Sequence, residues 1–467
     1  MSAPAITLVE LAQWANGDLT VQRMPDGAIA REAFLASGVT GASIDTRTIT
    51  PGALFVPLPG EKVDGHAFLD EAFARGAGAA LCARAVHPHI AHVELGPLVL
   101  VEDVTAALQT IAGKYREKWP GLLVGITGSA GKTTTKELVA AAFSTAAPTL
   151  RTLGNLNNHW GVPLTLLAIR REHEIAVVEM GMSNPGEIAA LAALARPSAA
   201  IVTNAGTAHL EGVGSLEGVA REKASLVHAL AEGQPAFVGA DSPRLIAAVR
   251  GAKARVVTYG LSAEADVHPE RIEDLGAEGS RLHVAGFPPV HLRLVGRHQA
   301  QNAMAALAVA RHWKLDPAAV ATALGAYAPL KGRMDVWQHA GAVILEDCYN
   351  ANPDSTRAAL DTLASWPKAT RRIAILGDML ELGPTAAELH RETGALVRDA
   401  ELWTVGAHAR DYARGAATAG VAVRTFSDRA EVAAALRETL APGVVVLVKA
   451  SRGAALEQVL AGLEKES

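Results

Sequence analysis

Six consecutive residues, Gly128, Ser129, Ala130, Gly131, Lys132 and Thr133, follow the apolar run LLVGIT and lead into a helix-like stretch. Small residues and glycines let backbone N–H groups turn inward toward an anion, and the start of a helix adds its partial positive charge. Lys132 is the residue type that reaches β- and γ-phosphates and Thr133 the type that ligates Mg²⁺, so the segment predicts a nucleoside triphosphate site. The match to G-x-x-x-x-G-K-[ST] is imperfect: Ile126 stands six residues before Lys132, and Gly125 is one place too early. What is present is the shorter T-G-x-x-G-K-T-T. The strand before it and the helix after it weigh against the alternative, an ordinary Gly-containing turn.

Other residues of the right chemistry fall at the ends of similar apolar runs. Glu179 closes the strand-like EIAVVEM, where a metal ligand of a phosphate-loop enzyme belongs; read alone, such a residue is more often a solvated loop residue, and the phosphate loop beside it reverses the balance. His209 follows strand-like AAIVTN and falls on the same rim of the sheet, as a metal ligand or a plain hydrogen-bonding histidine. In SLEGVAREKASLVHAL, Leu216, Val219, Lys223, Leu226 and Leu230 share one apolar stripe of an amphipathic helix. A buried lysine tends to be neutral, and a neutral amine can capture CO₂ as a carbamate, a carboxylate-like metal ligand. The alternative is a lysine snorkelling from the edge of the stripe. Arg333, in LKGRMDVW at a change of sequence texture, is a guanidinium suited to clamp a transferring phosphate across a domain junction. Asp347 ends strand-like AVILED and by the same logic faces a cleft, toward ribose hydroxyls.

These residues need parallel strands to hold them. Runs at 122–127, 174–180 and 199–204 are continuously apolar, as in strands buried on both faces, and helix-like stretches lie between them. That alternation predicts a doubly wound sheet. Residues 265–295 break the rhythm with short alternating segments, read as an antiparallel flap or edge, and a long helix follows over 298–313. After Gly332 the alternation resumes with strand-like runs at 342–347, 372–378, 401–406, 421–426 and 444–450. Before residue 104 a small mixed region has strand-like ALFVPL, AGAALCAR and LVLVED and helices at 7–16 and 66–76. The expectation is an α/β protein of three domains: 1–103 small and mixed, 104–331 with the phosphate loop, and 332–467 Rossmann-like.

With 467 residues, 49% hydrophobic and 19% charged, the chain has apolar material for several cores, which excludes general disorder. Its 43 basic against 48 acidic side chains leave a formal charge of −5, which excludes a chain-wide electrostatic grip on nucleic acid or anionic membrane. Two cysteines, Cys82 and Cys348, form no disulfide framework, so a reducing cytoplasm is expected. No apolar run approaches the roughly 20 residues of a membrane span, and the amino terminus lacks a basic leader pattern.

Taken together, TGSAGKTT, the positions of Glu179, His209 and Lys223, and HQAQNAMAALA resemble the Mur ligase family, ATP-dependent amide ligases of peptidoglycan precursor synthesis. GNLNNHWGVPLTLL, EMGMSNPGEI, AGTAHLEGVGS, YNANPDS and LGDMLELG are most similar to the member that adds D-alanyl-D-alanine to UDP-MurNAc-tripeptide. The segment SIDTRTITPGALFVPLPGEKVDGHAFLDEA resembles the UDP-sugar-binding domain of that member and of its tripeptide-forming relative. The sequence departs from the family at Cys348, often Ser or Ala, and at Ala450, often Gly; neither is assigned to chemistry.

The resemblance implies ATP held by Gly128 to Thr134, with Asn302 near adenine, Arg333 on the γ-phosphate and Asp347 on ribose. It implies two Mg²⁺ ions, one on Thr133 and Glu179, the other on His209 and a carbamylated Lys223. Asp45, Thr46 and Arg47, flanked by Asp64, Gly65 and His66, match the uridine-binding turn, and Asn350, Asn352 and Asp354 are offered to the dipeptide pocket. The implied reaction activates a carboxylate as an acyl phosphate, with Lys132, Lys223, His209 and Arg333 as the catalytic set and domain closure about a hinge near Lys331 and Gly332. A monomer without nucleic-acid partner or membrane insertion is expected. The competing readings are the tripeptide-forming ligase, a folate polyglutamate ligase and an ATP-driven switch. LGDMLELG and YNANPDS argue against the first two, and Lys223 together with His209 against the third.

Overall fold

The apolar runs become the central strands of three sheets. The computed structural model describes residues 6–21, 26–60, 63–90, 96–207 and 210–466. The phosphate-loop strand, Leu122–Thr127, is buried in a six-stranded parallel sheet ordered Arg255–Tyr259, Pro235–Gly239, Ala199–Val202, Leu122–Thr127, Ile175–Glu179, Thr149–Arg151. It comes first in chain order yet lies inside, because later strands add on both of its edges. Its carboxyl end is therefore a topological switch point, where parallel sheets leave a crevice for ligands. Register places Glu179 opposite Ile126, and Val202 opposite Thr127. Both neighbours thus end at the level of the phosphate loop.

A second six-stranded sheet runs Asp335–His339, Ala342–Asp347, Val444–Lys449, Arg371–Leu376, Glu401–Thr404, Val423–Thr425. Only its first strand is antiparallel, paired with the strand that follows it. Asp347 and Leu376 both lie opposite Lys449, which sets three strand ends side by side. The amino-terminal sheet has five strands, with Asp18–Thr20 antiparallel to Leu98–Val101 and the rest parallel. Here the expected strand 53–58 shrinks to Leu54–Phe55. Pro57 and Pro59 lack the N–H groups that would extend the ladder. The expected flap is a three-stranded antiparallel sheet, Arg271–Asp274, Ser280–His283 and Val290–Leu292.

Alternation along the strands splits the core. Val124 and Ile126 face the layer made by Leu138, Phe143 and the helix Arg297–His312, while Leu123 faces the opposite layer with Val178 and Leu226. That opposite layer is continuous with Leu11, Val99, Leu108 and Ile111, so the amino-terminal sheet and the central sheet share one apolar cluster. The connecting helix Val104–Lys118 explains the continuity. Asp103 caps it by accepting the Ala106 N–H at 2.9 Å, and Val104, Leu108, Ile111 and Tyr115 form its buried stripe. Among the described residues, no helix is long and apolar enough to cross a membrane.

Candidate active site

The phosphate loop depends on two glycines. Gly131 has φ +79°, and a Cβ there would lie 2.3 Å from Asn302 Oδ1; at Gly128 it would lie 1.8 Å from Thr203 Oγ1. Any side chain would push the loop off its supports. Those supports come from the end of the neighbouring strand. Asn204 accepts the Ser129 N–H through its carbonyl at 3.1 Å and the Ala130 N–H through Oδ1 at 2.9 Å. Thr203 Oγ1 donates to the Ala130 carbonyl at 2.6 Å. The Lys132 ammonium donates to the Gly128 carbonyl at 2.6 Å, curled into its own loop. Desolvation holds its pKa below the ordinary lysine value, with Arg333 adding to the effect and Glu179 opposing it.

Glu179 is 1% exposed at the end of its strand. Its Oε1 accepts from Asn157 Nδ2 at 2.8 Å, while Oε2 has no hydrogen-bond partner. The nearest cation is Lys136, one turn along the phosphate-loop helix, with Nζ 3.8 Å from Oε2. Lys136 is wholly buried and donates to the Thr152 carbonyl at 2.7 Å, and Glu137 Oε1, 3.2 Å from its Nζ, joins Glu179 in compensating its charge inside the protein.

Lys223 does lie in the buried stripe of its helix, Leu216–His228, with no exposure and no hydrogen-bond partner for Nζ. The helix sits close because Gly125 has no side chain: a Cβ there would be 3.1 Å from Leu226 Cδ1. Desolvation, reinforced by the Lys132 charge, drives the Lys223 pKa well below its ordinary value, and Glu222 and Glu187 oppose this only in part. The snorkelling alternative is thereby excluded. Burial this complete disfavours the ammonium form.

The carboxyl-terminal domain closes over this rim. Arg333 Nη2 donates to Thr133 Oγ1 at 3.1 Å, and the guanidinium stacks 3.9 Å from the Tyr349 ring centroid. Asp347 accepts the Met334 N–H at 3.2 Å and the Lys449 ammonium at 2.5 Å. Lys449 is 2% exposed and also donates to the Asn350 carbonyl at 3.0 Å. His298, at the start of the helix Arg297–His312, brings a buried Nδ1 without a hydrogen-bond partner beside this pair; desolvation pulls its pKa down to about 4.

One cleft of about 1020 Å³ is lined by Lys132, Glu179, Asn302, Arg333, Asp347 and Lys449. Asn302 is 7% exposed; Oδ1 lies against Gly131, accepting from Thr135 Oγ1 at 3.4 Å, and Nδ2 donates to Gln299 at 3.0 Å. Asn350, Asn352 and Asp354 line the cleft too. Asn352 caps the helix Pro353–Ala364 by accepting the Ser355 N–H at 2.8 Å, and Asp354 Oδ2 accepts the Thr207 N–H at 2.6 Å. The predicted metal residue His209 lies outside the described residues.

Asp45, Thr46, Arg47, Asp64 and His66 are not in this cleft but in the amino-terminal domain. Asp45 Oδ2 pairs with Arg47 at 2.6 Å, and this hydrogen bonding lowers the Asp45 pKa to about 2. The His66 ring is spent internally, with Nδ1 2.6 Å from Asp64 Oδ1 and Nε2 accepting the Ala83 N–H at 3.0 Å.

The cleft residues Asn157, Asn204, Tyr349 and Lys449, and the buried Lys136 beside Glu179, were not singled out from sequence. Lys449 and Asn204 sit at the carboxyl ends of apolar runs, so the reasoning that found Glu179 and Asp347 reaches them too. Lys136 had no such signal, since a lysine one turn into a helix is ordinarily exposed. Among the described residues, no three His, Cys, Asp or Glu side chains form a ready metal cage. The donors that fit a divalent ion are of another kind: the unpartnered Glu179 Oε2, the Thr133 hydroxyl and, once derivatised, the unpartnered Lys223 Nζ.

Residues 126–310 match the Mur ligase middle domain, 332–452 the Mur ligase glutamate ligase domain, and 38–116 the Mur ligase family catalytic domain. The UDP-N-acetylmuramoyl-tripeptide–D-alanyl-D-alanine ligase of Bacillus subtilis is 34% identical over 452 residues, covering 95% of this chain and 97% of that one. A crystal structure of MurF from Acinetobacter baumannii superposes with TM-score 0.85 at 29% identity, covering 99% of both chains. MurF ligase from Thermotoga maritima in complex with ADP gives 0.78 at 28% identity, covering 90% of this chain and 96% of that one. From phosphate loop to closing domain, the chain belongs to the Mur ligase family.

Proposed function

We propose that this protein is an ATP-dependent amide ligase that joins D-alanyl-D-alanine to the terminal carboxylate of UDP-MurNAc-tripeptide, giving the pentapeptide, ADP and phosphate. The observation that carries the reading is end-to-end similarity to the Bacillus subtilis ligase whose name states this reaction. The ADP bound by the Thermotoga maritima relative supports ATP as the phosphoryl donor.

A carboxylate is a poor electrophile. One of its oxygens attacks the γ-phosphorus, the β–γ bridging P–O bond breaks, and ADP leaves an acyl phosphate behind. The dipeptide amine then attacks the acyl carbon, phosphate departs with the bridging oxygen, and the surplus amine proton passes to phosphate or solvent. Positioning and charge neutralisation supply most of the rate, so no protein nucleophile is needed. The backbone N–H groups of Gly128 to Thr134 cradle the phosphates. Lys132 exchanges the Gly128 carbonyl for the β- and γ-phosphates, and Arg333 turns from Thr133 to the γ-phosphate. Asp347, held by Lys449, faces the ribose, and Asn302 braces the phosphate loop where adenine enters.

Magnesium, when bound, neutralises phosphate charge as it moves from ATP to the carboxylate. Thr133 and Glu179 would hold one ion; His209 and a carbamylated Lys223 would hold a second. The carbamate forms when the neutral Nζ adds to CO₂ and loses a proton, which replaces an unpartnered buried amine with an anionic ligand. In the amino-terminal domain Asp45, Thr46 and Arg47 take the uridine, with Asp64 and His66 supporting the turn, while Asn350 and Asn352 border the dipeptide. We infer a cytoplasmic monomer, since both nucleotide substrates are cytoplasmic, with no nucleic-acid partner and no membrane insertion.

Phosphate release from ATP and Mg²⁺ with UDP-MurNAc-tripeptide, with and without D-alanyl-D-alanine, tests the assignment. Release that depends on the dipeptide supports it; hydrolysis indifferent to the dipeptide, with no new amide, overturns it.

A further inference from the structure

Asp354 reaches out of its own domain. Its Oδ2 accepts two hydrogen bonds from Thr207 of the central domain, from the backbone N–H at 2.6 Å and the hydroxyl at 2.8 Å. The mount is stiff: Asn352 and Ser355 form a reciprocal cap, the Asn352 N–H donating to Ser355 Oγ at 3.0 Å and the Ser355 N–H to Asn352 Oδ1 at 2.8 Å, and Pro353 fixes the first turn. The receiving loop is pinned on its far side. The Gly206 N–H donates to Ser129 Oγ at 2.9 Å, and Asn204 holds Ala130. Residues 204–207 are therefore bonded to the phosphate loop at one end and to the other domain at the other.

Gly206 shapes the same contact. A Cβ there would lie 2.0 Å from Asp354 Oδ2. The carboxylate occupies the space that a side chain would fill, so the two residues form a plug and socket across the domain boundary.

We infer that Asp354 is a positioning residue: seated in the Gly206–Thr207 socket, it docks the carboxyl-terminal domain so that Arg333 meets the phosphate loop, and it does not bind the dipeptide. The kinetic part of this inference rests on the ligase function proposed above; the docking part does not. It accounts for an acidic side chain whose Oδ2 is already bonded twice within a cleft that must take an anionic substrate.

The test compares Asp354→Ala, Gly206→Ala, their combination, Asp354→Asn and Thr207→Val in the full chain. Spin labels on Lys253→Cys and Glu438→Cys, both at exposed positions, report the distance between the domains, since the native cysteines are buried. Two hydrogen bonds to a carboxylate predict a fall in kcat of roughly tenfold to hundredfold for Asp354→Ala and for Gly206→Ala. KM for D-alanyl-D-alanine moves less than about twofold, because the contact removed is not one made to the dipeptide. The double variant is no worse than the worse single one, because both remove the same contact. The interdomain distance distribution broadens in each, and Asp354→Asn, which keeps an acceptor oxygen, recovers most of both readouts. A raised dipeptide KM with unchanged kcat and distances would make Asp354 a substrate ligand and overturn the inference. Additive losses with unchanged distances would overturn it as well. Should Asp354→Ala fail to fold, Thr207→Val removes one of the two bonds from the opposite side and gives the same decision. A wild-type protein that makes no pentapeptide defeats the ligase function, while the distance measurement still decides the docking role.

Discussion

Arg333 Nη2 lies 3.1 Å from Thr133 Oγ1, although 200 residues separate them in the chain. One side chain comes from the carboxyl-terminal domain, the other from the first turn of the phosphate-loop helix. A guanidinium already at the phosphate loop needs to move little to reach a transferring phosphate. The Tyr349 ring, 3.9 Å from the guanidinium, fixes the plane in which it turns. Arg333→Ala is expected to lower kcat by about 10³-fold or more, the order of an arginine supplied to a phosphoryl transition state. Arg333→Lys keeps charge but loses the stacked fork, and recovers only part of the loss. Steady-state kinetics at saturating ATP measure both; an unchanged kcat in Arg333→Ala would remove this residue from the chemistry.

Lys223 predicts a spectroscopic signal. Its Nζ is buried without a hydrogen-bond partner, and desolvation holds its pKa well below the ordinary lysine value. Incubation with ¹³C-bicarbonate should give a protein-bound carbamate carbon resonance that is absent from Lys223→Arg. The same substitution should lower kcat at least about 10²-fold, because arginine supplies no anionic ligand. A resonance that persists in Lys223→Arg would place the carbamate elsewhere.

The two thiols are expected to be inert. Burial pushes the Cys82 pKa up to about 11 and pushes Cys348 up further, and the Cys348 thiol donates to the Val448 carbonyl at 3.2 Å. A chromogenic disulfide reagent at neutral pH should find neither thiol within minutes in the native protein and both in guanidinium. Rapid inactivation prevented by ATP would show instead that Cys348 is accessible from the cleft.

His390 sets a pH dependence of stability. Its ring is fully buried, accepts the Met379 N–H at Nε2 (2.9 Å), donates from Nδ1 to the Ala386 carbonyl (2.6 Å) and stacks on His408. Desolvation lowers its pKa, and the neighbouring His408 adds to this. Below the ordinary histidine value near 6.5 the unfolded chain gains a proton that the folded chain refuses, so stability is lost as pH falls. This residue contributes a slope of up to about 1.4 kcal/mol per pH unit in that range. Denaturant unfolding at pH 5.0 to 6.5 should show a shallower slope for His390→Gln than for wild type. Equal slopes would mean that the ring protonates in place.

Much of this was legible in the sequence because the phosphate loop, Glu179, Lys223 and Asp347 are tied to local patterns: an apolar run that stops, or a polar residue inside an apolar stripe. Register then does the rest, since parallel neighbours that end together must face one crevice. Lys136 and the Asp354–Gly206 contact were not legible. The first is a buried ion network whose partners come from three separate segments, and the second is a contact between domains that no local period encodes. The strand at 53–58 was overextended because apolar content was read without the missing donors of Pro57 and Pro59.

The most direct measurement follows oxygen. UDP-MurNAc-tripeptide labelled with ¹⁸O in its terminal carboxylate is turned over with ATP, Mg²⁺ and D-alanyl-D-alanine, and phosphate and the nucleotide product are weighed by mass spectrometry. Acyl phosphate chemistry requires one ¹⁸O per phosphate released, a product heavier by the dipeptide less water, and one ¹⁸O retained in its new amide. Unlabelled phosphate with no pentapeptide mass would contradict the ligase assignment and leave an ATPase whose cleft serves another purpose.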